Sequence, residues 1–304
     1  MKYLIFDVSN ILYRTFYANK SEDDITVAGL AHHAALTTIN MYYRKYQPHK
    51  IIMTFDRSSW RKEYTKSDKC VSPRQYKGNR RKAMTPKEKE KYQLFLGHLN
   101  DFEDMIRDQT TIISLAGDGL EADDLMAGAV QVLSLDPNNE MIIISADKDM
   151  IQLLQYPNTQ LIDPASGKPR TLDDWEGDPK LFMFEKCIRG DLGDNVQSAL
   201  PRCRSKRIRA AYVDDYERAN LMNETWKDPD GVEYTVKALF KENELLMDLS
   251  KQPDDIQQQI VETVLTNMDN PGSFSYFHFM QFLGKFELKK LAANAETFVD
   301  MLSR

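Results

Sequence analysis

Eight acidic residues lie in short motifs far apart along the chain, and several of them follow an apolar run. Asp7, Asp56 and Asp147 each come at or just after the end of such a run. Carboxylate oxygens are the ligands that Mg²⁺ and Mn²⁺ prefer, whereas the five His and three Cys show no spacing typical of a zinc site. The sequence therefore predicts divalent-metal chemistry. The eight candidate metal ligands are Asp7, Asp56, Glu121, Asp123, Asp147, Asp149, Asp191 and Asp194.

Three of these motifs hold neighbouring acids, and each also has a purely structural interpretation. Residues 121–124 could cap a helix, residues 147–149 could form a turn before a helix, and residues 190–195 could form an Asx-type turn. However, three acids among four residues exceed what a cap needs, and two acids directly after a buried strand can bind one metal ion or two neighbouring ions. Together the motifs offer enough oxygen atoms for two metal ions, an arrangement suited to phosphodiester hydrolysis.

Apolar runs separated by amphipathic stretches predict the elements that position these acids. Strands are expected at 3–6, 51–55, 110–115 and 141–145, with helices between them. Residues that follow parallel strands meet at one edge of the sheet, where the crevice of an open α/β sheet lies.

The predicted fold class is therefore α/β, with a central, mostly parallel sheet flanked by helices. A small hairpin is expected at 159–171, and the chain beyond about 176 is expected to be almost entirely helical. We predict a nuclease-like core over residues 1–175 and a helical module over residues 176–304. The helices predicted in that module cover 179–189, 205–222, 233–250, 254–267 and, with breaks, 274–302.

Positive charge is concentrated in two segments although the net charge of the chain is −6. Residues 57–91 hold 13 Lys and Arg against four acids, which predicts a phosphate-binding surface rather than an ordinary solvated face. That segment is polar and poorly periodic, so we expect a mobile excursion that becomes ordered on its ligand. The second segment holds Arg202, Arg204, Lys206, Arg207 and Arg209.

Several protein classes are disfavoured by what the sequence lacks. The sequence contains no run of about 18 apolar residues, which disfavours a membrane-spanning protein. It also shows no signal-peptide pattern at its start. Three scattered Cys are typical of reduced thiols, which predicts a cytoplasmic protein. A glycine-rich phosphate loop and a nucleophile elbow are both missing, which disfavours an NTPase and a serine hydrolase.

In the order of its motifs, the sequence resembles the flap endonuclease and 5′→3′ exonuclease superfamily, and it is most similar to the T-even phage RNase H branch. The similarity spans roughly residues 1–210. Its motifs are Ile5-Phe6-Asp7, Thr54-Phe55-Asp56, Trp60-Arg61, Tyr76-Lys77-Gly78-Asn79-Arg80, Glu121-Ala122-Asp123-Asp124, Ser145-Ala146-Asp147-Lys148-Asp149 and Gly190-Asp191 with Asp194-Asn195.

This resemblance implies a role for each motif. Asp7, Asp56, Glu121, Asp123 and Asp147 are expected around a first Mg²⁺, and Asp149, Asp191 and Asp194 around a second, more loosely held one. Mn²⁺ is expected to substitute. Lys77 and Arg80 are expected to contact the scissile phosphate from an arch over the site, with Asp147 as the third catalytic residue. The remaining nucleic-acid contacts implied are Arg74, Tyr76, Arg81, Lys82, Arg202, Arg204, Lys206 and Arg207, and the other candidates for base stacking are Tyr13, Phe16 and Tyr17.

The sequence departs from the family pattern after Asn195. Many members continue with a glycine-rich helix–turns–helix that often binds potassium, and residues 196–204 lack those glycines, which argues against a potassium site. Because only six residues precede Asp7 in this sequence, we expect any docking on a sliding clamp to use another segment. The resemblance still suggests a monomer that acts on branched or nicked DNA and on RNA·DNA hybrids, with single-strand-binding protein and a sliding clamp as candidate replication partners, in the host cytoplasm if a phage encodes it.

We therefore predict a metal-dependent 5′ nuclease that removes RNA primers and cleaves 5′ flaps. Two alternatives remain open at this point. A PIN-type ribonuclease would share the sheet and several acids but would need neither the segment 57–91 nor the loop 190–195. A non-catalytic, structure-specific DNA-binding protein would be expected to lack some of the eight acids.

Overall fold

The computed structural model describes residues 1–18, 23–82 and 84–304, except that the side chains of Arg81 and Lys82, both predicted to contact nucleic acid, lie outside the described part. Its main sheet confirms the predicted fold class. Among the described residues this sheet has five parallel strands in the order β3-β2-β1-β4-β5. The strands are β1 Lys2–Asp7, β2 Lys50–Thr54, β3 Ile113–Leu115, β4 Glu140–Ile144 and β5 Thr159–Ile162.

Helices cover both faces of the sheet because its strands are apolar on both sides. Leu4 and Phe6 of β1 lie in one core with helices α2 and α5, while Tyr3 and Ile5 lie in a second core on the opposite face. The helices of this half of the chain are α1 Val8–Ala18, α2 Asp24–Tyr46, α3 Trp60–Tyr64, α4 Gly78–Lys82, α5 Pro86–Gln109 and α6 Ala122–Leu133, and a 3₁₀ helix spans Lys148–Gln155.

The C-terminal part is helical, as expected, and it joins both cores. Helices α12 and α14 pack into the core that contains α2 and α5, while α10 and α11 pack into the other core. Among the described residues, no helix combines the length and the apolar character needed to cross a bilayer. The helices of this part are α7 Pro179–Arg189, α8 Ser205–Val213, α9 Asp215–Met222, α10 Val236–Met247, α11 Asp254–Asp269, α12 Tyr276–Lys285, α13 Lys289–Ala292 and α14 Glu296–Leu302.

Helix α7 matches its predicted bounds because both of its ends carry strong local signals. Asp178 accepts a hydrogen bond from the Lys180 backbone N–H at 2.8 Å, and Pro179 occupies the first turn. Gly190 ends the helix at φ +66, and a Cβ atom there would lie 2.6 Å from the Val196 carbonyl oxygen. Only glycine therefore lets the chain turn directly from α7 into the acidic loop 191–195.

Three predicted elements differ from the structure. The predicted hairpin at 159–171 is present, with an antiparallel bridge between Ile162 and Pro169, but residues 159–162 are in addition the fifth parallel strand of the sheet. The helix predicted at 205–222 is two helices, because Asp214 caps a new one by accepting the backbone N–H groups of Tyr216 and Glu217. The helix predicted at 233–250 begins at Val236, since residues 225–227 and 233–235 form a two-stranded hairpin, β6–β7.

The described residues of the basic segment include α3, turns and bends at 65–77, α4 and the start of α5. Lys77 and Asn79 contact the loop that follows α7 through hydrogen bonds. The expected mobility of this segment stays a prediction.

Candidate active site

Three of the eight acids follow parallel strands, whose carboxyl ends lie at one edge of the sheet. Asp7 is the last residue of β1, Asp56 lies two residues after β2, and Asp147 lies three residues after β4. Glu121 and Asp123 lie at the start of α6, and the remaining acids lie in the 3₁₀ helix and the loop after α7.

Four of these acids, Asp7, Asp56, Asp123 and Asp147, form no salt bridge with another residue of the described chain. Burial and repulsion from the other acids of this set raise the pKa of Asp7 and of Asp123. Burial, followed by repulsion from Asp56, raises the pKa of Asp7 to about 8. Unpaired, mutually repelling carboxylates at a sheet edge are the donor set that a hard divalent cation fits.

Glu121 is instead neutralised by protein cations. Its Oε1 atom accepts a hydrogen bond from Lys77 Nζ at 2.5 Å, and its Oε2 atom accepts from Arg61 Nη1 at 3.2 Å and from the Ser59 hydroxyl at 2.8 Å. Burial alone would raise the pKa of Glu121, but Lys77 and Arg61 lower it to about 2. Glu121 therefore stays ionised and anchors the predicted phosphate-binding Lys77 at the site.

Asp149 and Asp191 share a single cation, Lys186 of α7. The ammonium donates to Asp191 Oδ2 at 3.0 Å and, at closer range, to Asp149 Oδ1. Asp191 is oriented further by the backbone N–H groups of Gly193 and Asp194. The two acids thus lie side by side, and one ammonium compensates half of their combined negative charge.

Asp194 links the acidic loop to the basic segment. Its carboxylate accepts hydrogen bonds from the Tyr76 hydroxyl at 2.8 Å and from Arg80, and its backbone oxygen accepts the Lys77 N–H at 2.8 Å. Asn79 donates to the Leu192 carbonyl at 3.2 Å. Residues 75–80 and 191–195 are therefore joined into one hydrogen-bonded unit.

The donor set suits metal ions, but its members are not yet gathered around a single point. In the part of the chain that the structure describes, no three acidic, histidine or cysteine side chains converge as a ready set of ligands. The acids divide into the four without salt bridges and four held by Lys77, Arg61, Lys186 and Arg80. The predicted ligand assignments for the two ions stay predictions.

An open groove of about 590 Å³ runs beside Asp147, Asp149 and Asp191. Its other lining residues include two exposed cations, Arg14 and Lys148, and the half-buried ring of Trp175. An aromatic ring beside cations is a common platform for a nucleotide.

The predicted nucleic-acid contacts are unequally accessible. Arg74, Arg202, Arg204 and Lys206 are exposed, whereas Arg207 is ion-paired with Glu224. Arg209 pairs with Glu176 at 2.9 Å. The free part of the second basic segment is therefore its N-terminal part.

The aromatic candidates for base stacking are mostly part of the core. Tyr76 is 7% exposed and Phe16 is 2% exposed, while Tyr17 lies against Phe95. Tyr13 is 42% exposed, but its ring also packs edge-to-face on Phe95. A role of Tyr76 in binding nucleic acid stays a prediction, and its observed contact is with Asp194.

Carbonyl groups of the turn after the acidic loop are bound by protein donors. The Ala199 oxygen accepts the Trp226 indole N–H at 2.7 Å, and the Gln197 oxygen accepts the Asn243 amide at 2.8 Å. These hydrogen bonds do not test the expectation that this turn binds no potassium, which stays a prediction.

Sequence reasoning missed Arg61, Lys186, Arg14 and Trp175. Arg61 was seen only as part of a motif, because its partners Glu121 and Asp124 are about 60 residues away. Lys186 could have been suspected from its place one turn before Asp191, on a helix with a clear start and end.

Comparisons with known proteins agree with the predicted family and fold. A sequence model of the 5′-3′ exonuclease N-terminal resolvase-like domain matches residues 2–178. Ribonuclease H of Enterobacteria phage T4 is 26% identical over 278 residues, which cover 84% of this chain and 84% of that protein.

Two solved structures of the T5 D15 protein share the fold. One, co-crystallised with metal ions, has a TM-score of 0.65 at 20% identity and covers 88% of this chain and 99% of that one. The other, a variant of the bacteriophage T5 D15 flap endonuclease in a pseudo-enzyme–product complex with DNA and metal ions, has a TM-score of 0.64 at 21% identity and covers 89% of this chain and 100% of that one.

Proposed function

Because the chain belongs to the family of 5′-3′ exonucleases with an N-terminal resolvase-like domain, and is thus a nuclease, we propose that it is a divalent-metal-dependent 5′ nuclease. Its proposed substrates are branched or nicked DNA duplexes and RNA·DNA hybrids, from which it removes 5′ flaps and RNA primers. The observation that carries this proposal is the set of unpaired acids Asp7, Asp56, Asp123 and Asp147 beside Lys77 at the sheet edge.

The proposed metal assignment is the one that the family resemblance implies. Asp7, Asp56, Glu121, Asp123 and Asp147 hold a first Mg²⁺, and Asp149, Asp191 and Asp194 hold a second. Bound ions of this kind lower the pKa of an attacking water and stabilise the leaving oxygen. A T5 protein of the same fold was crystallised with metal ions, which supports the proposed dependence on a divalent metal.

The chain's own cations then act on the phosphate. Lys77 is held at the site by Glu121, and Arg80 by Asp194, so both can bind the scissile phosphodiester without a large movement of the backbone. Their charge offsets the negative charge that develops on the phosphate oxygens.

Duplex binding is assigned to two surfaces. Arg202, Arg204 and Lys206 bind backbone phosphates, while the groove of Arg14, Lys148 and Trp175 takes a nucleotide beside the acids. Phosphate contacts carry no sequence information, so the enzyme should tolerate many sequences and lose affinity steeply with salt. We also propose that residues 1–175 form the catalytic part and 176–304 the duplex-binding part of a monomer, which works in replication in the host cytoplasm if a phage encodes it, with single-strand-binding protein and a sliding clamp as partners.

The test is cleavage of 5′- and 3′-labelled flap duplexes and RNA·DNA hybrids, with Mg²⁺ and with EDTA. We expect short products from the 5′ end in Mg²⁺ and none in EDTA. Asp147→Asn should abolish cleavage and retain DNA binding, because it removes a metal ligand without adding bulk. The matched control Asp136→Asn, at the opposite edge of the sheet, should cleave normally. Equal activity of both variants would refute the metal assignment, and tight binding by the wild type without cleavage would indicate a DNA-binding protein.

A further inference from the structure

Lys186 is a nearly buried cation. Neither the sequence motifs nor the proposed reaction assigns it a role. Its side chain is 12% exposed, and its ammonium contacts both Asp149 and Asp191, which come from different segments. No other described cation forms a salt bridge with either of these acids. The pair is therefore compensated by one ammonium alone.

The position of that ammonium is fixed by the fold. Lys186 lies in the last turn of α7, and its carbonyl oxygen accepts the backbone N–H of Gly190, where the acidic loop begins. Neighbouring residues Cys187 and Ile188 are buried in the core. Asp191 is oriented by two backbone N–H groups, so the head group and its acceptors are all held in register.

We propose that Lys186 is a positioning residue that holds Asp149 and Asp191 together and competes with the second divalent ion for their oxygens. This inference rests on the proposed function, in which those acids bind that ion. The ammonium uses one oxygen of each carboxylate, so an ion that bridges the pair must share or displace it.

Two classes of metal affinity follow from this arrangement. Four of the five acids assigned to the first ion have no salt bridge to break within the described chain, whereas all three acids assigned to the second ion are ion-paired. Lys186 thus makes the second site the weaker one, and it offsets part of the repulsion between the two acids before the ion arrives.

The test is a titration of the protein with Mn²⁺. Binding is measured as the loss of the free-ion signal in electron paramagnetic resonance. Lys186→Met should lower the dissociation constant of the weaker class of sites at least about tenfold. The reason is that a unit charge a few ångströms from a bound cation changes the dissociation constant of that cation by more than about a factor of ten. Lys186→Arg, which keeps the charge, should stay near wild type. The control Lys180→Met removes a charge from an exposed position on the same helix and should leave both classes unchanged.

A second readout keeps the test decisive if Lys186→Met is less stable. In EDTA its melting temperature should fall below that of the wild type, and Mn²⁺ should raise it by more than it raises that of the wild type, since the ion replaces the missing charge. Unchanged or weaker Mn²⁺ binding by Lys186→Met, or equal tightening by Lys186→Arg, would overturn this inference and leave the proposed function intact. A wild type that binds no Mn²⁺ would overturn both.

Discussion

Arg61 is a buried residue that pairs with two acids at the edge of the active site. Its guanidinium contacts Asp124 Oδ1 at 2.7 Å and Glu121 Oε2 at 3.2 Å, and its Nε donates to the Leu246 carbonyl at 2.7 Å. The residue is 2% exposed. One side chain therefore joins α3, the start of α6 and the end of α10.

Removing that guanidinium should be costly, because it leaves the buried Asp124 without a cationic partner and Glu121 with Lys77 alone. We expect Arg61→Met to lower the free energy of unfolding by about 3–5 kcal/mol, measured by urea denaturation at pH 7. The control Arg209→Met breaks an exposed pair with Glu176 and should cost less than about 1 kcal/mol. A similar loss in the free energy of unfolding for both variants would show that Arg61 stabilises the fold no more than an exposed ion pair does.

At this scale the sequence revealed the acids but not the cations that pair with them. Acids after apolar strands are visible because a local pattern places them at the sheet edge. Arg61 and Lys186 meet their partners only through tertiary packing, so no spacing in the chain identified those pairs.

The hairpin β6–β7 is an element whose role becomes clear only from its contacts. Trp226 lies in its first strand, packs on Tyr234 and donates its indole N–H to the Ala199 carbonyl. That carbonyl belongs to the turn before the exposed cations Arg202 and Arg204. The hairpin therefore supports the turn that presents the proposed duplex-binding surface.

Trp226→Phe keeps an aromatic ring and removes the hydrogen bond. We expect a loss of about 1–3 kcal/mol in stability, measured by thermal or urea unfolding, and weaker binding of duplex DNA with unchanged Mn²⁺ binding. Thr225→Val, which removes an exposed cross-strand contact to Glu233, is the matched control and should bind duplex normally. Normal duplex affinity of Trp226→Phe would separate the hairpin from DNA binding.

Elements with strong end signals were predicted well, and weakly patterned ones were not. Asp178, Pro179 and Gly190 predicted both ends of α7, because caps and breakers act locally. The hairpin was missed because its strands have three residues each, too few for an alternating pattern, although Asp228-Pro229-Asp230-Gly231 between them is a turn signal.

Across the whole molecule, the C-terminal helices complete the core of the N-terminal part. His32 of α2 lies where α5 and α12 meet, with its ring 5.5 Å from that of Phe102 and 5.1 Å from that of Phe282. Its Nε2 lies 3.1 Å from the His98 carbonyl oxygen. Burial lowers the pKa of His32 to about 4 from its ordinary 6.5.

This shift predicts a loss of stability in mild acid. Between pH 6.5 and 4 the unfolded chain binds a proton at His32 that the folded chain does not, so stability falls as the pH falls, by up to about 3 kcal/mol. Urea unfolding at pH 7 and pH 4.5 should show a smaller loss for His32→Gln than for the wild type. His33→Gln, one residue along α2, should keep the wild-type loss; an identical pH dependence in all three proteins would refute the prediction.

At the scale of the molecule, periodicity predicted the layers but not how intimately the two parts pack. The sequence divided the chain at 175/176 from the change in strand content, and that division stays a prediction. Phe279 and Phe298 lie in the same core as Phe6, which a count of strands and helices does not anticipate.

The central place of β1 has a consequence for how the protein emerges from the ribosome. This first strand pairs with β2 and with β4, whose residues lie nearly 140 positions later. At roughly 5–20 residues per second, β1 waits about 7–28 s for β4 to be synthesised. During that interval Leu4, Ile5 and Phe6 lack one neighbouring strand, so the nascent chain presents an open apolar edge that chaperones would be expected to shield.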